Sequence, residues 1–354
     1  VRVAILADDL TSAGDGAAPF GAARVLLGPP AGPAPDGPGV VAVDLGTRMD
    51  DAERAAARTR DAARLLGGAE LLLKTVDSTL RGHLAAEIEA AWRGSGRRAV
   101  IVAPAFPAEG RTTAGSVQYV SGVPVHRSGF GSDPVHPVLR SDLRELLPGA
   151  TPVGRRAVPD VAARGLFVCD AADDADLDAV VAAVPNAADA LWVGSPGLAA
   201  ALARRYAAGQ PAPGPRPAVR APLVVVGSAN PASRGQLAEL RRRAPHVRVL
   251  HTPDDRQDPH TLLPALAGRV RALVADGAVD ALVLTGGETA AVVLAALGAD
   301  GFDLLTEPEP GVAQGLLTGS RRIPLIIKAG GFGDAGTLLR LCHGLLAAPL
   351  DDAA

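Results

Sequence analysis

Short aliphatic and β-branched runs recur along this chain, separated by stretches long enough to be helical. The first half has such runs at 1–7, 40–45, 70–76, 99–103, 165–170 and 190–193. The second half repeats the pattern at 223–227, 247–251, 280–285 and 323–329. Runs this short and this continuously apolar suit strands buried on both faces. Parallel neighbours need a crossover, usually a helix, between successive strands. The intervening segments supply it: a small-residue stretch from residue 10 to about 27, an Ala- and Arg-rich stretch over 50–66, and residues 84–92. No fixed-period repeat marks a solenoid. The pattern predicts an α/β protein of two domains, each with a mainly parallel sheet flanked by helices. Ligands are expected at the strand C-terminal ends and in the inter-domain cleft.

A chain of 354 residues is long enough for two domains. The join is expected at 209–222 (GQPAPGPRPAVRAP), which is rich in proline and has little to bury. This gives domains 1–208 and 223–354. Residues 28–39 read as loop. Residues 104–148 carry many turn residues, and are either a functional loop region or short irregular strands. The net charge of −3 gives no electrostatic reason to expect nucleic acid or an anionic membrane, and aromatics at 3% leave little for base stacking. No apolar run reaches about 18 residues, and residues 1–9 do not read as a signal peptide. Cys169 and Cys342 allow one disulfide at most and no zinc motif. A cytoplasmic protein is the simplest expectation, without nucleic-acid or membrane partners.

All but two of the 35 basic residues are arginine; the two lysines are Lys74 and Lys328. A composition that favours arginine this strongly leaves lysine where a guanidinium will not serve, because a compact ammonium differs from a planar fork. Both lysines end apolar runs. The plain alternative is two surface lysines left by chance.

Four successive strand ends in the first half are polar. Asp8, Asp9, Leu10 and Thr11 follow the first run, and Thr47 and Arg48 the second. The third ends in KTVDSTLRGH (74–83), which holds Lys74, Asp77 and Arg81, and the fourth leads to Glu109, Gly110 and Arg111. Cations among carboxylates suit a small anionic hydroxy acid: cations clamp its carboxylate, and an aspartate accepts a hydroxyl proton. Each residue also has a local reading. Asp77 and Arg81 could be a helix-start pair, Ser78 an N-cap, and Asp8 a cap for the next helix. It is the recurrence at four strand ends that favours a site.

The second half ends its strands in glycine and hydroxyls: Gly227-Ser228-Ala229-Asn230, Gly286-Gly287-Glu288-Thr289 and Gly330-Gly331-Phe332-Gly333. Glycine lets backbone N–H groups approach a phosphate, and a helix N-terminus favours its charge. One such turn is ordinary; three in one domain point to a nucleotide. Residues 331–336 match G-x-G-x-x-G, but only 18 residues follow Gly336, too few for the rest of a dinucleotide-binding unit. A dehydrogenase is therefore disfavoured. Neither lysine lies in a P-loop, and the protein-kinase catalytic-loop signatures are absent.

Taken together the motifs resemble the four-carbon acid sugar kinases. The segments that carry the resemblance are Ala7–Asp8–Asp9–Leu10–Thr11 with Gly14 and Asp15, Thr47–Arg48, residues 74–82, residues 103–107 with Gly110–Arg111, and residues 122–126 with Asp133–Pro134. In the second half they are Gly227–Ser228 with Gln236, residues 286–289, residues 309–311, and Lys328 with residues 330–333. The resemblance implies an N-terminal sugar-acid domain, a C-terminal ATP domain, and phosphorylation of threonate, erythronate or 3-oxo-tetronate. It places Asp8, Asp9, Arg48, Lys74, Asp77, Arg81 and Arg111 on the substrate side. Ser228, Gly286, Gly287, Glu288, Thr289, Gly330 and Gly331 fall on the ATP side. The chain departs from the family at Ser12, where glycine is usual, and at Asn230–Pro231.

The expected reaction is phosphoryl transfer by positioning and charge neutralisation. Lys74, Arg81 and Arg48 would hold the substrate carboxylate. Asp77 or Asp9 would deprotonate the attacking hydroxyl. The glycine turns would hold the phosphates of ATP, bridged by Mg²⁺, with metal ligands unassigned, and Lys328 could approach a phosphate. A homo-oligomer is possible on this reading. The alternative is a non-catalytic sensor of sugar acid and nucleotide that has kept the fold.

Overall fold

The computed structural model describes residues 2–29, 39–133, 136–207, 217–253, 259–319 and 322–346. Most of the expected 28–39 loop, residues 209–216 of the expected linker, and Pro134 lie outside them. The chain divides into two compact units.

Unit 1 opens with β1 (Val3–Ala7) and α1 (Leu10–Ala17). The chain's next strand, β2 (Ala23–Leu27), supplies Arg24–Leu27 to the other unit. Unit 1 continues through β3 (Val40–Asp44), α2 (Ala52–Leu66), β4 (Leu71–Thr75), α3 (Leu84–Ser95) and β5 (Ala99–Ala103). A small antiparallel sheet follows: β6 (Arg111–Ala114), β7 (Val117–Val120) and β8 (Val123–Pro124). After it come α4 (Leu143–Leu146), β9 (Thr151–Val153), β10 (Gly165–Cys169), α5 (Asp174–Ala182), β11 (Ala190–Gly194) and α6 (Pro196–Tyr206). The main sheet runs β3-β1-β4-β11-β5-β10-β9, with every pairing parallel. β1, β3, β4, β5 and β11 are buried along their whole length, as their mainly apolar sequences require, with Asp44, Lys74 and Thr75 the polar residues among them. Parallelism puts their C-terminal ends on one edge.

Asp9 caps α1, its carboxylate accepting from Ser12 N at 2.7 Å, and Asp51 caps α2 through Arg54 N. α2 and α3 lie against each other where Gly94 offers no side chain: a Cβ there would stand 2.3 Å from the Arg60 carbonyl oxygen.

The small sheet resolves the 104–148 region in favour of short strands. Its hairpins turn at Gly115-Ser116 and Ser121-Gly122, all four residues at positive φ, the conformation that matches the twist of tight hairpins. Gln118 of β7 ties the sheet to the main one, donating to the carbonyls of Ser78 and Pro104.

Unit 2 holds β2, β12 (Pro222–Val226), α7 (Pro231–Arg243), β13 (Arg248–His251), α8 (Pro259–Ala275), β14 (Ala281–Thr285) and α9 (Gly287–Ala296). β15 (Gly301–Glu309), β16 (Val312–Leu317), β17 (Pro324–Lys328) and α10 (Thr337–Leu345) complete it. The strand order is β13-β12-β14-β17-β16-β15-β2. The first four are parallel; β16 and β15 are antiparallel additions.

One expectation is corrected. The helix expected from residue 10 to about 27 ends at Ala17, and Gly21 at positive φ then starts β2, whose ARVLL is mostly buried. Gly301 has to be glycine beside it, since a Cβ would lie 1.9 Å from Val25 O. The cysteines form no disulfide: both are free and buried, and burial pushes each thiol up to about 12. No helix among the described residues is long and apolar enough to cross a membrane.

Candidate functional site

The C-terminal edge of β1, β3 and β4 gathers most of the charged residues expected there. Arg48 is the centre. Its Nε and Nη2 meet the two oxygens of Asp8 at 2.8 and 2.9 Å, its Nη2 reaches Ser12 Oγ at 3.2 Å, and its Nη1 meets Asp9 Oδ2 at 2.5 Å. The loop that carries Arg48 is held from beneath, because the N–H groups of Thr47 and Arg48 both donate to Asp8 O. Burial pushes the Asp8 carboxyl up, and the charges of Arg48 and Lys74 more than reverse that, holding it below the usual carboxylate range.

A second pair lies after β4. Asp77 takes a two-pronged hold from Arg81, at 2.8 and 3.1 Å, and a hydrogen bond from the Thr79 hydroxyl. Burial works against its ionisation, but the Arg81 charge and hydrogen bonds prevail and keep the carboxyl well below its ordinary range. Arg81 stacks on the Phe130 ring at 5.4 Å and faces Asp133 at 3.7 Å. The turn between Asp77 and α3 puts Leu80 and Gly82 at positive φ, and a Cβ on Gly82 would stand 3.3 Å from Asp8 Oδ2. Glycine thus brings the turn holding the Asp77–Arg81 pair against Asp8.

Two predicted residues stand differently. Arg111 bonds to Glu109 of its own turn, through the carboxylate at 2.9 Å and the backbone carbonyl. Lys74 is fully buried, with 0% exposure. Its ammonium meets Glu87 Oε2 at 3.0 Å and Thr75 O at 2.6 Å.

Sequence reasoning passed over Asp44 and Glu87. Asp44 ends β3, 5% exposed, and accepts from Gly46 N at 2.8 Å. Its carboxyl is pushed up to about 7, first by burial and then by the Asp9 charge. Glu87 is a buried acid on α3, paired with Lys74 and accepting from the Thr47 hydroxyl. The signal for Asp44 was an acid inside an apolar run; for Glu87, an acid on an otherwise apolar helix face.

Unit 2 brings its three glycine turns together at the ends of neighbouring strands β12, β14 and β17. A Cβ on Gly227 would strike the Thr289 side chain, and one on Gly330 would lie 2.3 Å from Ser228 Oγ. Gly286 N donates to Lys328 O, and Ser233 Oγ donates to Gly330 O at 2.7 Å. Gly286 precedes α9 with φ 94°, and no side chain caps that helix. Gly287, exposed Glu288 and buried Thr289 form its first turn, so their N–H groups face outward from the helix start. Gly331 lies beside Asn230. Lys328 is no surface lysine: it is buried, and burial lowers its ammonium to about 8. It donates to Ala329 O and Phe332 O, which fixes the turn from inside, and Gln236 Nε2 donates to Phe332 O as well. After residues 331–336 comes α10, with no further strand among the described residues.

A family described as a sugar-binding N-terminal domain matches residues 3–202, and one described as a nucleotide-binding C-terminal domain matches residues 251–338. The chain is 36% identical to a D-threonate kinase of Bordetella bronchiseptica, over 97% of each chain. It is 35% identical to a D-threonate kinase of Cupriavidus necator, over 94% of this chain and 95% of that one. A solved Haemophilus influenzae structure, of a family defined only as a domain of unknown function, matches with TM-score 0.74 at 20% identity, covering 94% of this chain and 97% of that one. The likeness to it is one of fold.

Proposed function

The chain belongs to the four-carbon acid sugar kinase family, and from that premise we propose that it transfers the γ-phosphoryl group of ATP to a hydroxyl of D-threonate. The observation that carries the reading is near-full-length similarity to two D-threonate kinases at 36% and 35% identity. It fits the geometry: an edge of paired arginines and aspartates in unit 1, and a glycine-lined cradle in unit 2.

The acid would sit at the edge of β1, β3 and β4. A guanidinium has five N–H donors. Arg81 directs Nε and Nη2 at Asp77, and its remaining donors can take an incoming carboxylate together with Arg48. Asp77 and Asp9 are the candidates to orient and deprotonate the attacking hydroxyl. Asp77 is held ionised by Arg81, which makes it ready to accept a hydrogen bond but a weak proton acceptor. Phosphoryl transfer tolerates that, because its loose transition state depends mainly on positioning and charge neutralisation. Arg111, at the start of β6, is proposed as a further cation for the acid.

The nucleotide phosphates would rest on the α9 N-terminus and on the turns at Ser228 and Gly330–Gly331. Close approach there depends on positions where a Cβ would intrude. Among the described residues no group of three or more His, Cys, Asp or Glu side chains is arranged to hold a metal ion. The Mg²⁺ of the proposal would be held by the phosphate oxygens together with one or two carboxylates and retained water.

The test is ADP release from Mg·ATP with D-threonate, L-threonate, erythronates and 3-oxo-tetronates. D-threonate should give the highest kcat/KM, and silence with every acid would reject the reading. Asp77→Asn and Asp9→Asn should each be assayed beside it. The residue that acts as base should lose about 10²–10⁴-fold in kcat with KM for ATP near the wild-type value. Wild-type turnover in both would remove both aspartates from that role.

A further inference from the structure

Buried polar groups join the ends of β3 and β4 to α3 in a way the acceptor site does not itself explain. Lys74 of β4 and Glu87 of α3 form an ion pair of 3.0 Å at 0% and 3% side-chain exposure. The second ammonium bond goes to Thr75 O at 2.6 Å. The other oxygen of Glu87 accepts from the Thr47 hydroxyl, and Thr47 is itself 0% exposed. Thr47 directly precedes Arg48, and both their N–H groups donate to Asp8 O, at 2.9 and 3.2 Å. One carboxylate therefore links an ammonium under the sheet edge to the loop that presents Arg48.

A fully buried ion pair is a poor device for stability, since desolvation cancels much of its attraction and apolar residues of the same volume often do as well. It does fix geometry, because each partner is costly to leave unpaired. The three donors of an ammonium spread from one atom and suit Glu87 and a backbone carbonyl at close quarters. A planar guanidinium is larger and points its donors differently. That accounts for a lysine here in a chain whose other basic residues, Lys328 apart, are arginines.

We propose that Lys74, Glu87 and Thr47 are positioning residues: through Glu87 the buried ammonium locks the Thr47 hydroxyl, and so sets the Arg48 guanidinium against Asp8 and Asp9 without Lys74 touching the substrate. The proposal rests on reading this edge as the acceptor site, so its test carries one readout that needs no substrate. The variant is Thr47→Val, which keeps shape and leaves the Lys74–Glu87 pair intact; Thr47→Ser restores the hydroxyl. Amide hydrogen exchange, read by mass spectrometry, is compared for the segment around residues 45–49 and for α3. Kinetics with D-threonate and Mg·ATP are run in parallel.

Thr47→Val should speed exchange around Thr47 and Arg48 at least tenfold while α3 stays protected as in the wild type. It should raise KM for D-threonate about tenfold or more and leave KM for ATP unchanged. Thr47→Ser should return both readouts to the wild type. Unchanged exchange at 45–49 in Thr47→Val overturns the proposal, whatever the substrate is. Faster exchange with unaltered kinetics also overturns it, since the loop would then not serve the acceptor. Faster exchange in α3 as well would mark the three residues as ordinary core. If the wild type turns over no tetronate, the kinase reading fails by itself, and the exchange result still decides whether Glu87 locks the loop.

Discussion

Asp44 is the residue whose chemistry departs most from what its sequence context suggests. It sits in VVAVD, at the end of a strand buried on both faces. Burial acts first on its carboxyl, the Asp9 and Asp8 charges add to it, and the Gly46 N–H and Arg48 offset only part, leaving it near 7 against 3.8 in a free side chain. The folded protein thus holds a proton between about pH 4 and 7 that the unfolded chain has released. Stability from this group is full below the ordinary value, falls as pH rises through the window, and is gone above 7. Asp44→Asn cannot ionise. It should melt higher than the wild type at pH 8, and the gap should narrow at pH 5 and close only near pH 4. Melting curves at pH 8 and pH 4 decide it, and an equal gap at both would mean that Asp44 is held by a cation instead. The same logic explains the limits of sequence reading at this site. Asp8, Asp9, Arg48, Asp77 and Arg81 were legible because charged residues stood directly after apolar runs. Asp44 and Glu87 were hidden inside such segments, and only tertiary structure shows which groups face them. Lys74 was legible as unusual, but its partner Glu87, 13 positions on, was not.

At the scale of elements, α9 is the test of the nucleotide reading. Its N-terminus has Gly286 in place of a capping side chain, at φ 94°, and a Cβ there would come to 3.5 Å of Thr289 Oγ1 and 3.6 Å of Ser228 Cβ. Space is thus adequate, and the strain lies in the backbone, of the order of 1–3 kcal/mol for a residue forced into such a region. Gly286→Ala should therefore fold, lose about that much stability by denaturant unfolding, and raise KM for ATP about tenfold or more. Calorimetric binding of D-threonate should stay at the wild-type affinity. Gly330→Ala is the harsher variant, because its Cβ would collide with Ser228 Oγ at 2.3 Å. It should abolish ATP binding outright. The strands that lead to these turns were readable because burial on both faces leaves no polar residue to interrupt them. β15 was not, since GFDLLTEPE mixes buried Phe302 and Leu304 with acids that meet partners elsewhere in the fold. Asp303 pairs with Arg24 and Arg322, and Glu309 with Arg340. An antiparallel hairpin of that composition lacks the apolar continuity that marked its parallel neighbours.

For the whole molecule, the division into two units makes a claim about ligands that can be separated by variant. Each ligand stabilises the folded chain by RT ln(1 + [L]/Kd), about 2.7 kcal/mol at one hundred times Kd. Mg·ATP should raise the melting temperature through unit 2, and D-threonate should raise it through unit 1. In Gly286→Ala the nucleotide shift should shrink at a fixed ATP concentration while the D-threonate shift persists. In Arg48→Met the reverse should hold, because that change removes the guanidinium between Asp8 and Asp9 and leaves the glycine turns untouched. The stability of Arg48→Met itself should drop, since Asp8 is buried and loses its closest cation, a loss of about 3–5 kcal/mol for a broken buried pair. The ligand shifts are therefore read against each variant's own ligand-free melting temperature. If one variant erased both shifts, the two chemistries would not be housed separately. A D-threonate shift that survives Arg48→Met at full size would move the acid away from the β1–β3–β4 edge, and with it the part assigned to Asp9.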